Sequence, residues 1–157
     1  MPECPAGQPT GLVTASWIGT GALAVTAIPA AAFQGPLVPI SVVVSLVLFG
    51  IGIVAFLAAY ARAVGRSRTD AIGIGGLFFL AGSAPDSVQR HMMASLALEV
   101  VLALAVAFAR VYTPMAFAVL APMYGLGLAG LWGARYGTFG PRTADTGGPD
   151  AEHPGGG

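Results

Sequence analysis

One carboxyl stands where a bilayer would be thickest. Glu99 is the single charge in the 18-residue apolar run from Met92 to Ala109. The run that follows, Met115 to Ala134, has 20 residues and no charge. At helical rise these runs are roughly 27 and 30 Å long, about the hydrocarbon thickness of a membrane. A carboxylate at that depth costs several kcal/mol unless it is paired, hydrated or protonated, and the default reading is a proton or cation site. Ser95 lies one turn before it. Arg110 lies 11 residues after it, roughly 20° from the same face but roughly 16 Å along the axis, so the two cannot pair directly, although both can face one cavity. The competing reading is structural: a protonated Glu99 bonded to a neighbouring Ser or Tyr, holding helices together. Both readings stay open on the sequence.

A second polar group gathers elsewhere. Asp70, Asp86, Arg66, Arg68, Arg90 and His91 fall between the second and third spans, with Arg62 just before them. This is the place for chemistry on a lipid headgroup, and equally for a solvated loop that binds headgroups. No catalytic residue is assigned. The serines have no His or Asp in span positions to form a triad. His91 and His153 are far apart and Cys4 is alone, so neither a metal site nor a disulfide is expected. Gly73, Gly75 and Gly76 form a GxGG that follows no strand, which leaves the nucleotide-loop reading weak and no cofactor expected.

The elements that must position these groups are membrane helices. The chain has 157 residues, 55% hydrophobic and 9% charged, with a mean hydropathy of +0.78. Soluble domains average about 25% charged. All seven basic residues are Arg and seven acids balance them, so there is no basic field for nucleic acid. The Arg-only usage reads as codon bias in a GC-rich genome. The expected fold is an all-α, polytopic helical bundle with four spans, at about 12–33, 37–61, 92–109 and 115–134. The first span is diluted by Thr and Ser, which are cheap in a membrane helix because they bond back to a carbonyl one turn earlier. No basic residue precedes it and it is long for a signal peptide, so it reads as a span. Pro39 sits in the first turn of the second span.

Residues 71–84, AIGIGGLFFLAGSA, are too few and too Gly-rich to cross comfortably. They read as an interfacial or re-entrant segment, with Leu77-Phe78-Phe79-Leu80 dipping into the lipid boundary. Asp86 as N-cap with Gln89 at N3 reads as a capping box opening the third span. Thr113 as N-cap with Pro114 at N1 opens the fourth. Residues 1–10 and the Gly- and Pro-rich tail 136–157 read as disordered, leaving 11–135 as the transmembrane domain. The two hairpins, 12–61 and 92–135, match in length only, and no internal repeat is evident.

With four spans, Arg62, Arg66, Arg68, Arg90, Arg135 and Arg142 share one side and Arg110 is alone on the other. That asymmetry places both termini in the cytoplasm of a plasma-membrane protein. In the fourth span Ala121, Gly125, Ala129, Gly133 and Gly137 recur every fourth residue, with Gly127 and Gly130 thinning a neighbouring face. Such a ladder lets another backbone approach closely, in the same chain or in a second protomer. Pro122 is placed to kink this span. Trp132 and Tyr136 read as interfacial anchors.

The pieces LFFLAGSAP (77–85) and PMYGLGLAGLWGARYGTFGPR (122–142) resemble a family of small integral membrane proteins of actinobacteria. The resemblance implies a four-helix membrane protein with an Arg-only composition. It implies no activity and carries over no site residues. The partners expected are the lipid bilayer and another membrane protein or a second copy. Three functions follow in order: a non-enzymatic helix-packing module of a membrane complex, a small oligomeric proton- or cation-coupled transporter using Glu99, and a lipid-acting enzyme at the cytoplasmic loop.

Overall fold

A computed structural model describes residues 10–33 and 35–141. The order is α1 (Thr10–Phe33), α2 (Leu37–Arg66), α3 (Ile74–Phe78), α4 (Asp86–Ala109), a 3-10 segment (Pro114–Leu120) and α5 (Met123–Tyr136). Among the described residues the fold is all-α, and four stretches are long and apolar enough to cross a membrane: 10–33, 37–66, 86–109 and 114–136. The chain thus has the form of a multi-pass membrane protein. Val25, Phe33, Val54, Ile74 and Phe108 are more than two-thirds exposed, as side chains facing lipid would be.

Three boundaries differ from expectation. α2 continues to Arg66, because a helix carrying Arg62 and Arg66 can leave the apolar layer while their stems stay along it. α4 begins at Asp86 with Pro85 as its N-cap and no side-chain cap bond. The capping box does not form, since the Gln89 amide donates instead to the Phe79 carbonyl at 3.1 Å. The fourth span is not one helix. Its 3-10 half is capped as expected, with Met115 N–H donating to Thr113 Oγ1 at 3.3 Å and Pro114 at the first position. At Ala121-Pro122 it gives way to α5, so Pro122 marks a break rather than a bend.

α5 is the centre of the bundle. Tyr124, Leu128, Ala129, Trp132 and Ala134 are all buried, so the helix is enclosed on every side, which is the pattern of a core helix. The ladder is what permits this. A Cβ built at Gly52 on α2 would lie 2.5 Å from the Met123 carbonyl and the Tyr124 nitrogen, and one at Gly127 would lie 3.2 Å from the Ala55 methyl. At Gly130 it would meet the Phe78 ring at 2.5 Å, and at Gly133 the Leu80 side chain at 3.3 Å. Ala121 and Ala129 are fully buried. The ladder is therefore consumed inside the chain.

The segment 71–84 is built against those glycines. Leu77, Phe78 and Leu80 are buried and only Phe79, 51% exposed, faces outward. The expectation that Leu77 to Leu80 dip into lipid is thus corrected. The depression left by Gly130 accepts the Phe78 ring, which also stacks on Phe56 with centroids 4.8 Å apart, and that left by Gly133 accepts Leu77 and Leu80. Leu80 reaches the turn with φ +56°, a left-handed conformation costing roughly 1–2 kcal/mol for a non-glycine residue. Its complete burial offsets that cost. Trp132 is likewise inside, 3% exposed, with its ring 5.7 Å from that of Tyr136; of the two expected anchors only Tyr136 reaches the surface.

The tail is ordered further than expected. Ala71 N–H donates to Gly140 O at 2.9 Å and Thr138 N–H to Ser83 O at 3.0 Å, so residues 137–141 lie across the turns on either side of α3. The remainder of the expected tail, 142–157 with Arg142 and His153, and the N-terminal residues 1–9 lie outside the described residues.

Candidate functional site: the carboxyl at the helix break

α1 and α4 run parallel, and a stripe of small and hydroxyl residues on α1 faces α4. Ser16 is 1% exposed, Thr20 2%, Ser95 and Glu99 0%. Small side chains at Ser16 and Thr20 let the two helices close on this polar layer, as membrane helices do without a hydrophobic drive. Glu99 Oε1 lies 3.0 Å from Thr20 Oγ1. Glu99 Oε2 accepts the Gly125 N–H at 3.1 Å. Ser16 Oγ and Ser95 Oγ bond one turn away, and Ser95 Oγ also donates to Met92 O at 3.4 Å. On the same side Tyr124 O–H donates to Ala15 O at 2.7 Å. Its ring fills the notch at Gly19, where a Cβ would lie within 2.6 Å of the ring edge.

The position of Gly125 explains the acid. It is the third residue of α5, and the first amides of any helix lack an intrahelical acceptor. In most membrane spans those amides reach water. Here the helix starts at a break inside the span, where an unsatisfied backbone group costs several kcal/mol. Pro122 removes one of the orphan donors and Glu99, reaching across from α4, accepts another. A carboxyl oxygen at a helix N-terminus also meets the positive end of its dipole.

Hydrogen counting shows what a proton on Glu99 would do. Thr20 has one hydroxyl hydrogen, and its Oγ1 lies 3.0 Å from both Ser16 O and Glu99 Oε1. It can donate to only one of them. If Glu99 carries a proton, the carboxyl O–H donates to Thr20 Oγ1, Thr20 donates to Ser16 O, and Gly125 N–H donates to the other carboxyl oxygen. Every group is then satisfied. An ionised Glu99 would instead accept the Thr20 hydroxyl hydrogen at Oε1, and Ser16 O, four residues before Thr20 inside α1, would keep the Thr20 amide as its helical donor.

The other expected residues divide. Ser95 belongs to the same layer as Glu99. Arg110 does not meet it: its guanidinium donates to Ala31 O, with Nε at 3.1 Å, near the C-terminal end of α1. Arg66 binds Asp70 at 3.0 Å and also donates to Ala134 O at 3.2 Å and Gly137 O at 3.3 Å, closing the C-terminal end of α5 with its guanidinium 5.4 Å from the Phe139 ring centre. Arg90 Nε donates to the Asp86 carbonyl at 3.3 Å. Arg62 and Arg68 are exposed near the end of α2. Of these loop polar groups Arg66 serves a helix end, and among the described ones the structure brings no nucleophile and base together. Among the described residues no three of His, Cys, Asp and Glu converge as metal ligands. Sequence reasoning missed Ser16, Thr20 and Tyr124 as partners of the site. The available signal was the spacing of Ser16 and Thr20, four apart on one face of α1. Comparison with family models, curated proteins and solved structures gives no match.

Proposed function

We propose that this chain is a non-enzymatic membrane module whose work is to pack, either within a larger membrane complex or with copies of itself. The observation that carries this reading is the complete internal use of Glu99. The carboxyl is 0% exposed, and its two oxygens are engaged by Thr20 and by the start of α5. A coupling carboxyl must exchange protons or ions with one side of the membrane, whereas this one caps a helix. Arg66 and Arg110 support the same reading, since each closes a helix end with carbonyl bonds. We place the protein in the plasma membrane with both termini in the cytoplasm, because Arg62, Arg66, Arg68, Arg90 and Arg135 stand at one end of the bundle and Arg110 at the other.

The test is purification in mild detergent at native expression, with the mass of the particle measured and its components identified. A defined assembly with another membrane protein, or a defined oligomer, is the expected result. A lone monomer that drives pH-dependent cation flux in proteoliposomes, lost in Glu99→Gln, would overturn the proposal in favour of a coupled transporter.

A further inference from the structure

The two hairpins, α1–α2 and α4–α5, are related by more than length. Each polar link between the parallel helices α1 and α4 joins residues 79 apart: Ser16 with Ser95, Thr20 with Glu99, and Arg110 with Ala31. At that offset Ala15-Ser16 overlies Ala94-Ser95, Leu23-Ala24 overlies Leu102-Ala103, and Ala30 overlies Ala109. α2 and α5 are also parallel, and Gly52 meets Gly127, 75 residues on, backbone to backbone. At this second offset Phe49-Gly50-Ile51-Gly52-Ile53 overlies Tyr124-Gly125-Leu126-Gly127-Leu128, Ala59 overlies Ala134, and Gly65 overlies Gly140. Alanine and leucine matches arise between any two membrane spans. An aromatic-Gly-aliphatic-Gly-aliphatic run, occurring twice with its second glycines in contact, does not follow from composition.

The change of offset from 79 to 75 means that the second hairpin lacks about one helical turn between Arg110 and Tyr124. The 3-10 segment makes up the length. Twelve α-helical steps from Leu37 to Phe49 climb roughly 18 Å. The ten steps from Pro114 to Tyr124, the first six at 3-10 rise, climb the same roughly 18 Å. This accounts for a 3-10 segment of 7 residues, when such runs seldom exceed three or four. It also accounts for the acid. Thr20 occupies in the first hairpin the position of Glu99 in the second. Gly50, the counterpart of Gly125, lies inside the unbroken α2, where its amide already has a helical acceptor.

We infer that the bundle is a repeated helical hairpin in which the inner face of each copy fits a second hairpin of the same kind. The second copy is one turn short, its 3-10 segment restores the span, and Glu99 caps the helix start that the shortening creates. This goes beyond the packing role proposed above and does not depend on it.

The test restores the missing turn in the full-length protein by exchanging residues 111–123 for residues 32–48, and places Glu99→Thr in both backgrounds. In the parent, Glu99→Thr should lower the melting temperature in detergent by about 5 °C or more; in the exchanged chain the loss should fall below roughly 2 °C. Equal losses in the two backgrounds, or an exchanged chain that does not assemble, would overturn the inference. A second measurement reads the register in the parent fold. With Cys4→Ser, the pair Ala27→Cys and Val106→Cys, 79 apart, should cross-link on oxidation, and Ala27→Cys with Leu104→Cys, on the opposite face of α4, should not. Absence of the first cross-link, or equal yield from both pairs, would also overturn it.

Discussion

Replacing Glu99 by Gln and by Leu separates a neutral cap from a charged group. In the hydrogen count above, Gln reproduces a protonated Glu: its amide N–H donates to Thr20 Oγ1, and its carbonyl accepts Gly125 N–H, which now lies 3.1 Å from Oε2. Leu has similar bulk and neither function. It leaves the Gly125 amide buried without an acceptor, at about 1–3 kcal/mol. Thr20 keeps its bond to Ser16 O at 3.0 Å and adds little to the loss. The expected cost of Leu is therefore about 1–3 kcal/mol, and for a chain of this size about 1 kcal/mol moves the melting temperature roughly 2–4 °C. Glu99→Gln should move it by roughly 2 °C or less and Glu99→Leu by several times more. Melting in dodecyl maltoside, followed by near-ultraviolet circular dichroism, measures both. If Gln costs as much as Leu, the negative charge itself is required and the neutral count is wrong.

Gly127→Val sets side-chain atoms against the Gly52 carbonyl, and both are backbone-fixed, so it should cost more than the about 1–3 kcal/mol typical of overpacking, read as lost monodisperse protein on gel filtration; Gly50→Val, whose Cβ meets nothing within 4 Å, should be tolerated. Arg66→Lys keeps a charge near Asp70 but cannot also reach Ala134 O and Gly137 O in one planar fork; residues 137–141 should then become susceptible to protease while α1 and α4 remain protected. Reporter fusions after Gly35 and after Gly157 should report opposite compartments, with Gly157 cytoplasmic; a periplasmic reporter active at Gly157 rejects the orientation. Single Cys substitutions at Gly73 and Ser83 should label from the same side, since both flank the short α3, and labelling from opposite sides would make 71–84 a span.

Much of this fold was legible because bilayer physics acts on local composition. Run length located four spans and the Thr113-Pro114 pair marked a helix start, whereas Pro122, read as a kink, proved to mark a break. The glycine ladder announced a close contact. What it met was not legible, because the partners arrive from 52 to 75 positions away: Gly52 and Ala55 on α2, Phe78 and Leu80 from the segment after it. The capping box at Asp86 failed for the same reason. Local spacing predicted a bond between Gln89 and its own helix, and a carbonyl in the preceding turn, Phe79 O, took the amide instead. Glu99 was located by its cost, but Thr20 had been counted only as a polar dilution of α1. A hydroxyl in a membrane helix always has its own carbonyl as a partner, so sequence gives no sign of when it has a second.

The placement of Glu99 and Arg66 follows from the length of α5. Its 14 residues span roughly 21 Å, less than the roughly 30 Å of a bilayer core. Both ends of such a helix fall in or near the apolar layer, where bare amides and carbonyls are expensive. A hydrogen-bond acceptor belongs at the start of that helix and a donor at its end. Glu99 takes the first position and Arg66 the second. The Gly125 amide at the start of α5 lies 3.1 Å from Glu99 Oε2, and capping that start is the use of the carboxyl on which the packing role proposed above rests.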